Sequence, residues 1–172
     1  QAAATFQPED NQLTLRDGST IAYRLLIVAP GIRLAWEQIE GLEQTLGRNG
    51  VTSNYRYDLA PYTWNLVRTL RSGRAIFSQP PMPIKCAGAP QKAMYLSCDA
   101  WADRGVLGDI DVEFRNAGGV LFGVKEYVPA LMEYVEKYGI DLKLNQTLVA
   151  VDGPAKTATF KTEAGEETVA FD

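Results

Sequence analysis

The chain has 172 residues, of which 46% are hydrophobic and 22% charged, values that are ordinary for a globular chain of one domain or slightly more. Its formal net charge is −4, and the sequence has no block of Lys and Arg. Both observations argue against nucleic acid as a partner. Because it has no histidine and only two cysteines, neither a zinc-binding spacing nor a Ser-His or Cys-His catalytic pair can be built.

The first thirty residues predict a β-hairpin and then a buried strand. Residues 13–15 and 21–23 alternate in polarity across Asp17-Gly18, a dipeptide with turn chemistry. Residues 25–29 form a continuous apolar run, as expected for a strand that is buried on both faces. No apolar run approaches the ~20 residues that cross a bilayer, so we expect this chain to be soluble as it stands.

Residues 36–72 are interpreted as a connector that contains one helix. Pro61 suits the first turn, and Leu66 and Val67 share a face that ends before Gly73. Four aromatic residues of the connector could form a ligand-stacking surface, although packing is the favoured interpretation. They are Tyr55, Tyr57, Tyr62 and Trp64.

The remaining hundred residues predict a βαβαβ unit followed by an antiparallel meander. The strands are expected at residues 74–78, 109–114 and 141–144, and the first helix at residues 90–104. An apolar stripe ending at Gly139 predicts the second helix. The meander is expected at residues 147–151, 158–161 and 167–171.

The turn between the first strand and the first helix predicts an activated thiol. Cys86 lies in the run Lys-Cys-Ala-Gly-Ala-Pro-Gln-Lys, between Lys85 and Lys92. A free thiol with a pKa of about 8.5 is mostly protonated at neutral pH unless positive charge or a helix N-terminus favours the anion. Pro90 is expected at the first helical position and Ala89, which has no side-chain oxygen, at the N-cap. The alternative is an inert cysteine that packs as a small hydrophobic residue.

The second cysteine, Cys98, is expected in the core. It lies about eight residues into the helix, roughly 12 Å along the axis from the helix start. A disulfide needs Cα atoms within about 7 Å, so Cys86 and Cys98 should not pair.

A dinucleotide fingerprint is missing from the sequence. No Gly-x-Gly-x-x-Gly motif occurs, and the second strand ends without a clear ribose-binding acid. Gly118-Gly119 is a weak phosphate-binding signal and is interpreted as a turn.

Several pieces of the chain resemble the mitochondrial type of sulfide:quinone oxidoreductase, a family of the FAD-dependent pyridine nucleotide-disulfide oxidoreductase superfamily. The most specific piece is the eight-residue block around Cys86. The others are the run from Leu25 to Gly31, Ser53-Asn54-Tyr55, Thr63-Trp64, Ala75-Ile76-Phe77 and Phe122-Gly123-Val124-Lys125.

The resemblance implies an α/β fold and an internal fragment of a longer flavoprotein. Residues 1–35 would be the β-rich tail of an FAD domain and residues 36–72 a connector. Residues 73–172 would be a Rossmann-like NAD(P)-binding-type domain that no longer uses NAD, with its terminal meander. The glycine fingerprint for FAD would lie outside this chain, so we expect the chain to be inactive alone and not to retain FAD.

The implied activity of the complete protein is the oxidation of sulfide at a cysteine pair, with electrons passing through FAD to quinone and the sulfur to a small acceptor. Cys86 would be one member of the pair, and the other would lie outside this chain. Charge alone suggests that Lys85 and Lys92 support the thiolate. The family's flavin contact maps onto Ala29, Pro30 and Gly31 as a backbone approach, since proline replaces the usual threonine.

The resemblance also implies an enzyme peripheral to a respiratory membrane, seated by parts outside this chain and possibly a homo-oligomer. No metal and no nucleic acid are expected. Two alternatives stay open. One is another reductase of the superfamily, such as an NADH:quinone reductase, and the other is a non-catalytic Rossmann-like binding module.

Overall fold

The computed structural model describes all 172 residues, which divide into two compact units, Gln1–Ile32 and Arg33–Asp172. The first unit is a three-stranded antiparallel sheet in the order β1-β2-β3. The predicted hairpin is confirmed as β2 and β3, which Asp17 closes by accepting the Ser19 N–H at 3.0 Å, whereas β1 was not predicted. The strands are β1 Ala3–Gln7, β2 Gln12–Leu15 and β3 Thr20–Ala22.

The prediction of a buried strand at residues 25–29 is wrong for this chain. No strand forms there, and Leu25 and Ile27 are 79% and 80% exposed. An apolar run becomes a buried strand only where it pairs with a neighbouring strand and other elements cover its faces. No strand of the chain pairs with this run, so the apolar pattern alone does not produce the strand.

The second unit contains all the α-helices, two of them within the connector. None of them is long and apolar enough to span a membrane. The helices are α1 Leu42–Thr45, α2 Ala60–Thr69, α3 Ala89–Asp103 and α4 Val128–Lys137. Single 3₁₀ turns lie at Pro8–Asp10, Trp36–Gln38, Tyr57–Leu59, Leu107–Asp109 and Lys125–Tyr127.

The predicted βαβαβ unit is confirmed. Its three strands are parallel and lie in the order β4-β5-β6, with α3 and α4 as the crossovers. The strands extend slightly beyond or short of the predicted ranges, which is usual for element ends. They are β4 Gly73–Gln79, β5 Ile110–Asn116 and β6 Asp141–Lys143.

The main core lies between α3 and the parallel sheet. Met94, Cys98 and Trp101 form the buried stripe of α3 and pack with Phe114 of β5. The indole N–H of Trp101 donates to the carbonyl oxygen of Val67 at 2.8 Å, which ties α2 to α3. The prediction that Cys98 belongs to the core is therefore confirmed.

The predicted meander is confirmed as a second antiparallel sheet in the order β7-β8-β9. The connector adds to its edge, because Glu40 exchanges backbone hydrogen bonds of 2.9 and 2.8 Å with Val149 and Val151. Gly41 follows with φ +74°, and an added Cβ there would overlap the Val151 carbonyl oxygen. The strands are β7 Thr147–Asp152, β8 Thr157–Thr162 and β9 Gly165–Ala170.

A buried arginine joins the parallel sheet to the meander. Arg115 of β5 is 1% exposed and donates to Glu113 at 2.7 Å, to Gln146 at 2.6 Å and to Glu167 at 2.8 Å. Its guanidinium carbon also lies 4.6 Å from the ring centre of Phe160 in β8. This set of contacts fills the space between the two sheets with satisfied polar groups rather than with apolar side chains.

Candidate thiol site

The cysteine loop, residues 80–88, connects β4 to α3 at the carboxyl edge of the parallel sheet. Both Lys85 and Cys86 are exposed there. Proline occupies three of the first four positions of the loop, and proline has no N–H to donate to a strand ladder. The loop therefore leaves the sheet at once and presents the thiol at the edge where ligands of open α/β sheets bind.

The helix after the loop begins one residue earlier than predicted. Ala89 is the first helical residue and Gly88 is the N-cap, without a side-chain hydrogen bond. The prediction of Ala89 as the N-cap is therefore wrong, and its N–H donates to the carbonyl oxygen of Cys86 at 3.1 Å. Pro90 is tolerated in the first turn because the N–H that it lacks would have no helical partner. The carbonyl of Cys86 is thus bound to the start of α3.

Tyr55 also binds the carbonyl of Cys86. Its hydroxyl donates to that oxygen at 2.8 Å, and its own backbone N–H donates to the Ser53 hydroxyl at 3.2 Å. Partial burial raises the pKa of Tyr55, and the charge of Cys86 raises it further. The sequence reasoning treated Tyr55 as a packing residue and missed this contact. The available signal was that Ser53-Asn54-Tyr55 is one of the pieces that carry the family resemblance.

The two lysines flank Cys86 along the chain and are both exposed. Neither forms an ion pair or a side-chain hydrogen bond with another residue. Their positive charges are therefore not neutralised by a protein carboxylate.

Cys98 differs from Cys86 in its burial. It is fully buried, and burial raises the pKa of its thiol to about 12. Both cysteines are free thiols. The chain therefore has one exposed and one inaccessible thiol.

Ala29, Pro30 and Gly31 lie in the first unit as an exposed stretch without secondary structure. Gly31 has φ +77° with open space around its Cα, and no backbone hydrogen bond occupies the three residues. The N–H groups of Ala29 and Gly31 can therefore contact a ligand, whereas Pro30 has none. This stretch therefore offers a ligand two unbonded backbone N–H groups and no polar side chain.

The acid of the second strand is engaged inside the protein. Glu113 is buried between Arg115 and Arg74, whose Nε lies 3.2 Å from Glu113 Oε1 as an ion pair without hydrogen-bond geometry. The Gly118 N–H donates to the Asn116 side chain at 2.8 Å, so this end of the Gly-Gly segment is closed by protein. We find no group of His, Cys, Asp and Glu that could hold a metal ion.

The favoured packing interpretation of the connector aromatics is wrong for two of them. Tyr57 is 96% exposed and Trp64 is 57% exposed. Tyr62 accepts the Gly50 N–H at 3.0 Å and helps to hold the connector. Aromatic residue type alone does not indicate which rings a fold covers, since this depends on what packs against them.

Comparison with known proteins gives consistent sequence relatives. No family model matches the chain. The chain is 37% identical over 172 residues to the mitochondrial sulfide:quinone oxidoreductase of Dictyostelium discoideum. The matched region covers 99% of this chain and 38% of the relative. It is 35% identical over 158 residues to the mouse protein of the same name, covering 92% and 35%. The chain thus spans little more than a third of the length of these relatives.

Solved structures share the fold at low identity. A chain of the Tetrahymena thermophila mitochondrial ATP synthase is similar with a TM-score of 0.78 and 20% identity, over 99% of this chain and 44% of that one. The sulfide:quinone oxidoreductase of Aquifex aeolicus is similar with a TM-score of 0.70 and 18% identity, over 97% and 39%. At these identities the likeness establishes the Rossmann-like fold and nothing more.

Proposed function

We propose that this chain belongs to the sulfide:quinone oxidoreductase family and is the central part of a flavoprotein that oxidises sulfide, since it is 35–37% identical to its relatives over little more than a third of their length. The observation that carries the proposal is the exposed thiol of Cys86. It stands at the carboxyl edge of a Rossmann-like sheet, in the turn where a dinucleotide domain would have its glycine-rich motif.

The chemistry assigned to Cys86 is thiol–disulfide exchange. Hydrosulfide attacks a disulfide or sulfur-bridged pair formed by Cys86 and a cysteine outside this chain. One S–S bond forms as another breaks. From a disulfide this leaves a persulfide on one cysteine and a thiolate on the other, and from a sulfur-bridged pair it leaves a persulfide on each cysteine. The sulfide sulfur is thereby oxidised, the pair is reduced, and the persulfide sulfur passes to a small acceptor.

The surroundings of the Cys86 thiol carry positive charge in this scheme. Lys85 and Lys92 contribute positive charge that no carboxylate neutralises, and α3 begins three residues after Cys86. Cys98 takes no part, because its thiol is buried and stays protonated.

The flavin has a limited place in this chain. When bound, it supplies the two-electron chemistry that connects the cysteine pair to quinone. Ala29 and Gly31 would contact it through their N–H groups, with Pro30 as a spacer. Because these are the only contacts that we assign, we expect the purified chain to hold no stoichiometric FAD, which absorbance near 450 nm would test. A stoichiometric yellow complex would contradict this expectation.

The remaining parts of the proposal concern the complete protein. We assign it sulfide and quinone as substrates and a location at the surface of a respiratory membrane, where residues outside this chain seat it. We keep the division into residues 1–35, 36–72 and 73–172 as the FAD-domain tail, the connector and the Rossmann-like domain.

The alternative of an NADH-dependent reductase is disfavoured by Glu113. A ribose-binding acid must be free to accept from the ligand, whereas this carboxylate is buried between two arginines. The alternative of a non-catalytic binding module predicts instead that Cys86 is dispensable.

The test is sulfide-dependent quinone reduction by the complete protein with Cys86→Ser, and with Cys98→Ala as the matched control. We expect Cys86→Ser to reduce the rate to background, because serine cannot form the sulfur-bridged pair. We expect Cys98→Ala to retain the rate wherever the protein folds, with folding checked by circular dichroism. Normal activity of Cys86→Ser would support the binding module.

A further inference from the structure

The cysteine loop depends on one hydrogen bond for its tertiary position. Apart from bonds to the first turn of α3, residues 80–88 make a single hydrogen bond to the rest of the chain, from the Tyr55 hydroxyl to the Cys86 carbonyl oxygen. The loop has no helix or strand of its own, and its three prolines donate nothing. The hydrogen bond from Tyr55 is therefore the main polar contact that holds the loop against the connector.

Tyr55 is itself held well enough to serve as an anchor. It comes from the connector, 31 residues before Cys86, and its backbone is fixed by the hydrogen bond to Ser53. The next residue, Arg56, is paired with Asp58 and adds no free charge. Because the pKa of Tyr55 is raised above 10.0, its hydroxyl remains a donor at neutral and mildly alkaline pH.

We propose that Tyr55 is a positioning residue for the Cys86 thiol, which it holds beside the start of α3 through the Cys86 carbonyl. This inference rests on the proposed function, in which Cys86 is one member of the reacting cysteine pair. Two donors, the Tyr55 hydroxyl at 2.8 Å and the Ala89 N–H at 3.1 Å, share the carbonyl oxygen. Both bonds fix the backbone of Cys86 at the N-terminal end of α3, where the helix dipole is positive.

The test measures alkylation of Cys86 by iodoacetamide as a function of pH in the full 172-residue chain. Iodoacetamide is uncharged, so the neighbouring lysines do not attract or repel it. The variant is Tyr55→Phe, which removes only the hydroxyl, and the control is Tyr57→Phe on the exposed ring nearby. Lys85, Lys92 and the Arg56–Asp58 pair are unchanged in both variants.

In Tyr55→Phe we expect the half-maximal rate to move to higher pH and the rate at pH 7 to fall about three- to tenfold, the factor expected for one neutral hydrogen bond. The limiting rate at high pH should stay the same or rise slightly, because it reports access to the sulfur and the nucleophilicity of the thiolate, which increases with the pKa of the thiol. Tyr57→Phe should leave the whole profile unchanged.

Three outcomes would overturn the inference. They are an unchanged pH profile, faster alkylation at pH 7, or a change confined to the limiting rate at high pH. The last would mean that Tyr55 affects only access to the sulfur. Protection of Cys98 in the same samples reports whether each variant is folded. If Tyr55→Phe does not fold, Ser53→Ala should give a smaller shift in the same direction, and no shift there would also overturn the inference.

The experiment separates this inference from the proposed function. Loss of sulfide-dependent activity in Cys86→Ser, together with an unchanged Tyr55→Phe profile, removes the inference alone. Retained activity in Cys86→Ser removes the proposed function, whatever Tyr55 does to the thiol.

Discussion

Replacing Arg115 with methionine should be among the most destabilising single changes in this protein. Methionine fills similar space but leaves the buried carboxylate of Glu113 with Arg74 alone. Removing one partner of a buried ion pair costs about 3–5 kcal/mol, because the other charge remains without its compensation. Since Arg74 still approaches Glu113 at 3.2 Å, we expect the low end, about 3 kcal/mol.

The loss comes from the stranded charge, and a second substitution tests this. Arg115→Met combined with Glu113→Leu removes both buried charges, and such replacements are often neutral or stabilising. We therefore expect the double variant to recover most of the lost free energy of unfolding, to within about 1 kcal/mol of the parent chain. Arg74 is partly exposed, so its freed guanidinium can turn to water.

The assay is equilibrium urea unfolding followed by tryptophan fluorescence, with circular dichroism as a second probe of two-state behaviour. Glu167→Gln is the matched control, because the Glu167 side chain is 45% exposed and its neutralisation leaves the buried Arg115 still paired with Glu113. The reasoning is refuted if Arg115→Met costs less than about 1 kcal/mol, or if the double variant is no more stable than the single one.

Three further predictions follow from the same structure. First, Cys98 should resist alkylation until the chain unfolds. The pKa of its thiol, about 12, lies above the ordinary value of 9.0. The contribution of Cys98 to the free energy of unfolding is therefore present below pH 9 and is lost as the pH rises toward 12. Urea midpoints between pH 8 and 10.5, compared with those of Cys98→Ala, check this, and an equal slope in both proteins would contradict it. Second, hydrogen bonding to Arg115 lowers the pKa of Glu167 below 4.5, so its contribution is present above that pH and lost below it. Glu167→Gln should therefore flatten the acid side of the stability profile, and an unchanged acid slope would argue against the ion pair. Third, Gly41→Ala should destabilise by about 2 kcal/mol or more, since φ is +74° and the added Cβ meets the Val151 carbonyl, whereas Gly18→Ala in open space should cost about 1 kcal/mol. Equal unfolding free energies for these two variants would show that the overlap relaxes at no cost.

The element pattern was accessible from the sequence wherever a local rule governs it. The strands and the first helix of residues 73–172 were predicted to within about two residues at each end, because alternation, apolar stripes, prolines and Gly139 act within a few positions. The position of Cys86 just before a helix followed from the same local rules, whereas its exposure did not, because a packed cysteine fits the same pattern. The helix start was misplaced by one residue, which is the usual uncertainty at element ends.

Contacts that join distant parts of the chain were not accessible in this way. The run at residues 25–29 has the composition of a buried strand, yet only neighbouring strands could bury it. Tyr55 and Tyr57 are the same residue type in the same segment, but the Tyr55 hydroxyl binds the Cys86 carbonyl and the Tyr57 ring faces solvent.

The sequence by itself therefore determined the order of helices and strands in the Rossmann-like part and the presence of one cysteine at its edge. Only the tertiary structure decided that Tyr55 holds that cysteine and that Arg115 joins the two sheets. Periodicity and propensity are properties of neighbours along the chain, whereas a hydrogen bond between residues 31 or 52 positions apart exists only after folding brings its two partners together.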